Sequence, residues 1–327
     1  MKSPLERLSD ALSGDMQRVN ALIRQHMASE NAPRILEVTA HLIEAGGKRI
    51  CPMMTLAAAT LCGYEGEAHL QMAATVEFIH TATLLHDDVV DESAQRRGKP
   101  TANLLWDNKS SVLVGDYLFA RAFQLMVVPK NLRALSILAN ASAVIAEGEV
   151  LQLTAAQDIA TTETTYLQVV RGKTAALFSA ATQVGGVIAD APEPVIQALF
   201  DYGEAIGVCF QIVDDYLDYG AAGGGIGKNI GDDFRERKLT LPLIRAIAAA
   251  DDAERDFWER TIARGQQLDG DLEHAMSLLA RHGALASTRA TALEWADRAK
   301  ASLTVLPDHP LRPLMAELAD FVVERVS

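Results

Sequence analysis

Apolar residues recur at three- and four-residue spacing along almost the whole chain, and the strict alternation of a half-buried strand is nearly absent. The pattern predicts helices over roughly residues 4–26, 32–44, 50–61, 67–92, 110–127, 130–156, 163–188, 193–219, 240–249, 253–265, 269–281 and 284–304, with a last one near 310–325. Ala, Leu, Glu and Gln are abundant, which favours the same reading. Gly46-Gly47, Gly63, Gly98-Lys99-Pro100, Pro129 and Pro192 interrupt the pattern where helices should end. Thr240-Leu241-Pro242 has the form of an N-cap with proline in the first turn. The expected fold class is all-α.

The chain has 327 residues, 49% hydrophobic and 22% charged, enough apolar material for one large domain or two smaller ones. No composition shift or charge run divides it, so residues 1–327 are expected to form a single helical domain. The one low-complexity stretch, 220–227, is glycine-rich and reads as a loop. A formal net charge of -13 argues against nucleic acid as a partner, because phosphate backbones call for a basic footprint. Cys51, Cys62 and Cys209 are too few and too scattered for a disulfide framework or a zinc site. No targeting pattern opens the chain, and no run approaches about 18 consecutive apolar residues. A cytoplasmic protein without a transmembrane segment is expected, with peripheral membrane contact open.

Charge enters the apolar pattern at two places. Asp87-Asp88-Val89-Val90-Asp91 and Asp214-Asp215-Tyr216-Leu217-Asp218 share the form DDxxD, and each closes a strongly apolar helix. The first and last aspartates of each cluster are four apart, so on a helix they stack one turn from each other. Like charges at that spacing destabilise a helix, and an apolar neighbourhood disfavours the ionised form; a bound divalent cation removes both penalties. Oxygen ligands alone point to Mg²⁺, which takes one or two protein carboxylates and fills its remaining positions with water and phosphate oxygens. One such cluster is often a solvated acidic helix end. Two in apolar helices are not.

Cations stand where a phosphate ligand needs them. Arg96-Arg97-Gly98-Lys99 follows the first cluster, Lys173-Thr174 interrupts an apolar helix, Lys228 and Lys238 bracket the segment after the glycine loop, and Lys48-Arg49 follows a Gly-Gly turn. His80 precedes Asp87 by seven residues, two helical turns, which puts it on the same face. Each alone is more often a surface charge or a satisfied core histidine.

With these motifs the sequence resembles the trans-isoprenyl diphosphate synthases, and among them the long-chain polyprenyl (octaprenyl, solanesyl, decaprenyl) synthases. The resemblance runs through GGKRICP (46–52), LLHDDVVDESAQRRGKPTAN (84–103), SVLVGDYLFARAF (111–123), EGEVLQL (147–153), KTAALF (173–178), FQIVDDYLDY (210–219) and GKNIGDDFRERKLTLP (227–242). It implies a single large helical bundle of the isoprenoid synthase type with a central cavity, and typically a homodimer. It further implies that Asp87, Asp88, Asp91, Asp214, Asp215 and Asp218 bind two or three Mg²⁺ ions and an allylic diphosphate, farnesyl or geranylgeranyl. Arg96, Lys173, Lys228 and Lys238 would contact that diphosphate. Lys48, Arg49, His80 and Arg97 would hold isopentenyl diphosphate, while Thr174 and Gln211 line the reaction centre and Asp233 supports it. One departure stands out: the family pattern is GGKRxRP, and Cys51 occupies the position of the second arginine.

The implied reaction is ionisation of the allylic diphosphate, attack by the alkene of isopentenyl diphosphate, and loss of a proton to give a trans double bond. In short-chain members an aromatic residue about five positions before the first aspartate blocks the product tunnel. Ala82 stands there, with small Thr83 beside it, so a product of about 40 to 50 carbons is expected, for a ubiquinone side chain. Phe78, Phe119 and Phe123 are candidate floor residues. Competing readings are a class I terpene cyclase or a head-to-head synthase, the cyclase disfavoured by two DDxxD clusters and 6% aromatic content, and a non-catalytic synthase subunit, disfavoured by two complete clusters.

Overall fold

Helix α1 (Pro4–Ala11) starts on a capping box: Ser3 accepts from the Glu6 N–H while the Glu6 carboxylate accepts from the Ser3 N–H. From there a computed structural model describes residues 2–29, 31–44, 46–220 and 230–324. The chain continues through α2 (Ser13–Met27), α3 (Pro33–Glu44), α4 (Ile50–Leu61), α5 (Ala68–Val90), α6 (Ala102–Leu105), α7 (Asn108–Val127), α8 (Leu132–Ala155) and α9 (Glu163–Val170). It completes with α10 (Ala176–Ile188), α11 (Glu193–Tyr219), α12 (Asp232–Arg235), α13 (Leu241–Ala248), α14 (Asp252–Trp258), α15 (Asp271–Arg281), α16 (Ala284–Ser302) and α17 (Leu311–Glu324). The all-α expectation holds.

Several boundaries differ from those read off the pattern. The segment predicted as one helix over 4–26 breaks at Leu12, whose φ of -106° and ψ of 11° leave the helical region. The segment predicted over 163–188 contains a wide π-helical turn, Arg171–Ala175, between α9 and α10. Between α5 and α6 runs a small antiparallel hairpin, β1 (Gln95–Arg96) with β2 (Lys99–Pro100). Its two-residue turn is Arg97-Gly98, both with positive φ (54° and 75°), the twist that suits a tight hairpin.

The chain is organised as two compact units. The first comprises Met1–Ser142, Leu177–Gly203 and Ser302–Met315. Its central element is α5, in which every residue from Met72 to Ile79 is buried, so no face meets water. The buried hydroxyls of Thr75 and Thr81 donate to the carbonyls of Gln71 and Glu77 one turn back, which is how polar side chains survive in that helix.

The second unit comprises Ala143–Ala176, Glu204–Ala301 and Ala316–Ser327. Its core gathers Tyr219 at the end of α11, Phe234 of α12, Leu243 of α13, Trp258 of α14, Ile262, and Leu278 and Leu279 of α15. Near it α8 meets the π-helical turn backbone to backbone at Gly148 and Gly172. A Cβ on Gly148 would lie 2.5 Å from the Lys173 nitrogen and 2.8 Å from the Gly172 carbonyl carbon, so only glycine fits. By length and composition α8 is apolar enough to cross a membrane. Arg133 at its start pairs with Glu193 in the first unit, and Glu149 near its end with Lys173 in the second.

Candidate active site

In the first unit, α5 delivers Asp87 and Asp91 to its C-terminal end, one turn apart and both partly exposed. Asp88, rotated about 100° from Asp87 by helix geometry, points inward and is 0% exposed. Arg96 grips it, donating from Nε (2.9 Å) and Nη2 (2.7 Å) to the same Oδ1. The other oxygen, Oδ2, meets no donor. Burial raises the Asp88 pKa, while the hydrogen bond and charge of Arg96 pull the other way. The hairpin aims Arg96, and its base is tied to α5: Thr101 Oγ1 donates to the Ser93 carbonyl (2.6 Å) and Asn103 Nδ2 to the Asp88 carbonyl (3.2 Å).

Beside this cluster a pocket is lined by Arg49, Glu77, His80, Thr81, Arg96 and Arg97, with Leu42, Ile43, Gly46 and Leu84. Arg49, in the left-handed region at φ 50°, forms an ion pair with buried Glu77. Partial burial and then mutual repulsion lower the pKa values of Arg49 (by Arg97) and Arg97 (by Arg96). Burial, then the charges of Arg97, Arg96 and Arg49, push His80 down to about 4, so at neutral pH its imidazole is uncharged. Cations that crowd one another in a partly dry pocket are relieved by an anion. Lys48, in contrast, is exposed and does not line the pocket.

In the second unit the DDxxD at the end of α11 shares with the first a partly exposed first aspartate and a buried second one, but its last aspartate is buried as well. Asp214 is partly exposed while Asp215 and Asp218 are buried. Tyr166 of α9 donates to Asp215 Oδ2 (2.5 Å) and Gln211 Nε2 to Asp215 Oδ1 (2.8 Å). Burial first and the Asp215 charge next push the Tyr166 hydroxyl well above its ordinary value, so it remains a donor. Asp218 Oδ2 accepts the Asp233 N–H (3.0 Å) and its carbonyl the Gly231 N–H (2.8 Å), which anchors the returning chain. Thr174 Oγ1 donates to Gln211 Oε1 (2.8 Å), and Lys173 Nζ pairs with Glu149 (2.8 Å). Lys238 pairs with Glu236 (2.7 Å). Lys228 lies outside the described residues. Among the described residues no three acidic, histidine or cysteine side chains converge to hold an ion by themselves.

Over residues 32–279 the chain matches the family described as polyprenyl synthetase. The chain belongs to that family. Its members transfer prenyl groups, and it is a prenyltransferase. It is 44% identical over 321 residues to the octaprenyl diphosphate synthase of Escherichia coli K12, covering 98% of this chain and 99% of that one. Among solved structures it is similar to a decaprenyl diphosphate synthase from Rhodobacter capsulatus (TM-score 0.96, 70% identity, 99% of both chains). It is also similar to a polyprenyl synthase from Caulobacter crescentus complexed with calcium and isoprenyl diphosphate (TM-score 0.93, 50% identity, 99% of this chain and 98% of that one).

Cys51, Ala82 and Thr83 all lie in the first unit. Cys51 is buried in the first turn of α4, and burial pushes its thiol up to about 12, so it brings no charge. Ala82 is fully buried, and Thr83 Oγ1 bonds back to the His80 carbonyl (2.8 Å), leaving its methyl group as the outward chemistry. Of the candidate floor residues, Phe78 is buried in the core, Phe119 stacks on His86 at 5.9 Å, and Phe123 is 44% exposed. Glu77, Glu149 and Tyr166 were not singled out by sequence reasoning. Tyr166 carried a usable signal: it precedes Lys173 by seven residues, the spacing that links His80 to Asp87.

Proposed function

We propose that the chain is a long-chain trans-polyprenyl diphosphate synthase that condenses an allylic diphosphate, farnesyl or geranylgeranyl, with successive isopentenyl diphosphates to about 40 to 50 carbons. The observation that carries this reading is the pocket where Arg49, Arg96 and Arg97 crowd together beside neutral His80, which lies two helical turns before Asp87. Arg97, His80 and Lys48 bind the isopentenyl diphosphate. Arg96, Lys173, Lys228 and Lys238 act on the allylic diphosphate.

Two or three Mg²⁺ ions would be held by Asp87, Asp91 and Asp214, the partly exposed aspartates, with diphosphate oxygens completing each shell. When bound, the metal neutralises charge developing on the departing diphosphate. Asp88, Asp215 and Asp218, the other three aspartates expected from the sequence to bind metal, also hold Arg96, Gln211 and the Asp233 N–H in place. The cation shell binds and orients both diphosphates, and it favours ionisation of the allylic C–O bond electrostatically. Thr174 and Gln211 present polar groups to the allylic cation, and the released diphosphate takes the proton that leaves as the trans double bond forms. Ala82 and Thr83, both small, leave room for the growing chain.

The protein is read as a cytoplasmic homodimer supplying a ubiquinone side chain, with peripheral membrane contact at product release. Exposed Val112, Leu113, Phe123, Val127, Val128 and Leu132 on α7 and the start of α8 support an apolar interface. Incubation with Mg²⁺, farnesyl diphosphate and labelled isopentenyl diphosphate, followed by sizing of the extracted products, tests the reaction. A ladder ending near 40 to 50 carbons is expected; no incorporation would overturn the reading in favour of a non-catalytic subunit.

A further inference from the structure

We propose that Glu77 is a positioning residue for isopentenyl diphosphate: its carboxylate holds the Arg49 guanidinium at the wall of the cation pocket and leaves it further donors for the incoming diphosphate. This deepens the reaction proposed above and rests on it. On α5, Glu77, Thr81, Leu84 and Asp88 follow one another at spacings of four, three and four, which is one stripe of a helix. Glu77, Thr81 and Leu84 line the pocket, so the stripe faces it with a carboxylate at each end. Both carboxylates are buried, Glu77 at 5% and Asp88 at 0% exposure. Each takes one arginine: Asp88 holds Arg96, and Glu77 forms its ion pair with Arg49. A carboxylate so placed stays charged only with a cation in contact. Glu77 thus does for Arg49 what Asp88 does for Arg96.

The consequence falls on Arg49. Its backbone is left-handed just before α4, its side chain is 18% exposed, and burial together with the charge of Arg97 disfavours its cationic form. Desolvation therefore drives this long side chain toward water, and repulsion drives it away from Arg97. Glu77 opposes both. Among the described residues it is the one acid that Arg49 pairs with, and the contact is made from Nη1. A guanidinium carries more N–H donors than one such contact uses, so Nε and Nη2 keep donors for phosphate oxygens. Arg49 is in this way fixed before its ligand arrives, which lowers the ordering cost of binding. Removing the charge of Glu77 makes the pocket more attractive to an anion, whereas removing its hold makes Arg49 less available. The two effects have opposite signs.

Steady-state kinetics with Mg²⁺, an allylic diphosphate and isopentenyl diphosphate test this. Glu77→Gln, which keeps the shape and removes the charge, is expected to raise the KM for isopentenyl diphosphate about tenfold and to leave that for the allylic diphosphate within about twofold. A carboxylate that only offsets cationic charge gives the reverse, a lower KM, because its loss leaves the pocket more positive. A merely structural one moves both KM values together. The decisive measurement is a double-mutant cycle with Arg49→Met. If Glu77 acts through Arg49, Glu77→Gln raises the KM no further in that background. Glu77→Asp keeps the charge and shortens its reach by one methylene; it serves if Glu77→Gln does not fold, with the same selective rise expected. A KM for isopentenyl diphosphate that is unchanged or lowered overturns the inference alone, as do equal rises for both substrates or a rise that persists in full without Arg49. Wild-type protein that makes no prenyl product overturns the reaction and the inference together.

Discussion

His80 offers a test of the cation pocket that needs no substrate. Its imidazole has a folded-state pKa of about 4 against an ordinary value of 6.5, because burial and the charges of Arg97, Arg96 and Arg49 disfavour its protonated form. A depressed folded value means that the unfolded chain binds the proton first as pH falls. Stability is therefore fully present above about pH 6.5 and is lost progressively down to about pH 4, with no further loss from this group below that. The gap corresponds to about 3 kcal/mol in full, of which about 2 kcal/mol is gone at pH 5. The His80→Asn variant keeps a neutral polar group and removes the titration. Urea unfolding followed by circular dichroism at pH 7.5 and pH 5, at one protein concentration, reads the difference directly. Wild type should lose about 2 kcal/mol more than His80→Asn across that interval. Arg97→Met should recover part of the loss, since Arg97 is the largest of the cationic contributions. Equal pH dependence in wild type and His80→Asn would refute the claim that the pocket holds this histidine neutral, and with it the picture of crowded cations awaiting an anion.

Three further outcomes are expected. Cys51→Arg should lower the KM for isopentenyl diphosphate severalfold in steady-state assays, because the resident thiol is uncharged and Arg49 is already paired with Glu77; an unchanged KM would show that the position does not reach the diphosphate. Ala82→Phe should shorten the product on chromatography, and an unaltered chain length would remove Ala82 from the tunnel wall. Gly148→Ala should cost about 1–3 kcal/mol in thermal unfolding and also lower kcat, since the new methyl group meets the backbone that carries Lys173 and Thr174; wild-type values for both would mean that α8 and the π-helical turn separate without consequence.

The helical fold was legible because periodicity reports which face is buried, and α4, α5 and α8 begin and end within a few residues of their predicted bounds. The elements that escaped the pattern share a cause. The π-helical turn at Arg171–Ala175 has ordinary helical composition, and its extra residue per turn belongs with a backbone contact between Gly148 and Gly172, 24 positions apart and invisible to any local window. The hairpin at Gln95–Pro100 is too short to alternate, although the Arg97-Gly98 turn is a signature that local turn chemistry can supply.

The aspartates show most clearly where spacing stops being informative. Four-residue spacing placed Asp87 with Asp91 and Asp214 with Asp218 on one helix face, and said nothing about the aspartate between them. Helix geometry puts Asp88 and Asp215 about 100° away from that face, and a carboxylate turned inward must find donors or carry the full cost of desolvation. Which donors it finds is a tertiary matter: Arg96 on a hairpin for Asp88, Tyr166 from another helix together with Gln211 for Asp215. The DDxxD pattern thus encodes two tasks in consecutive residues. The first aspartate of each pair is partly exposed, and the second organises the protein beneath it. A substitution at Asp88 or Asp215 should therefore act through Arg96 or Thr174 and leave the metal dependence of the reaction nearly unchanged, whereas one at Asp87 or Asp214 should raise the Mg²⁺ concentration needed for half-maximal rate.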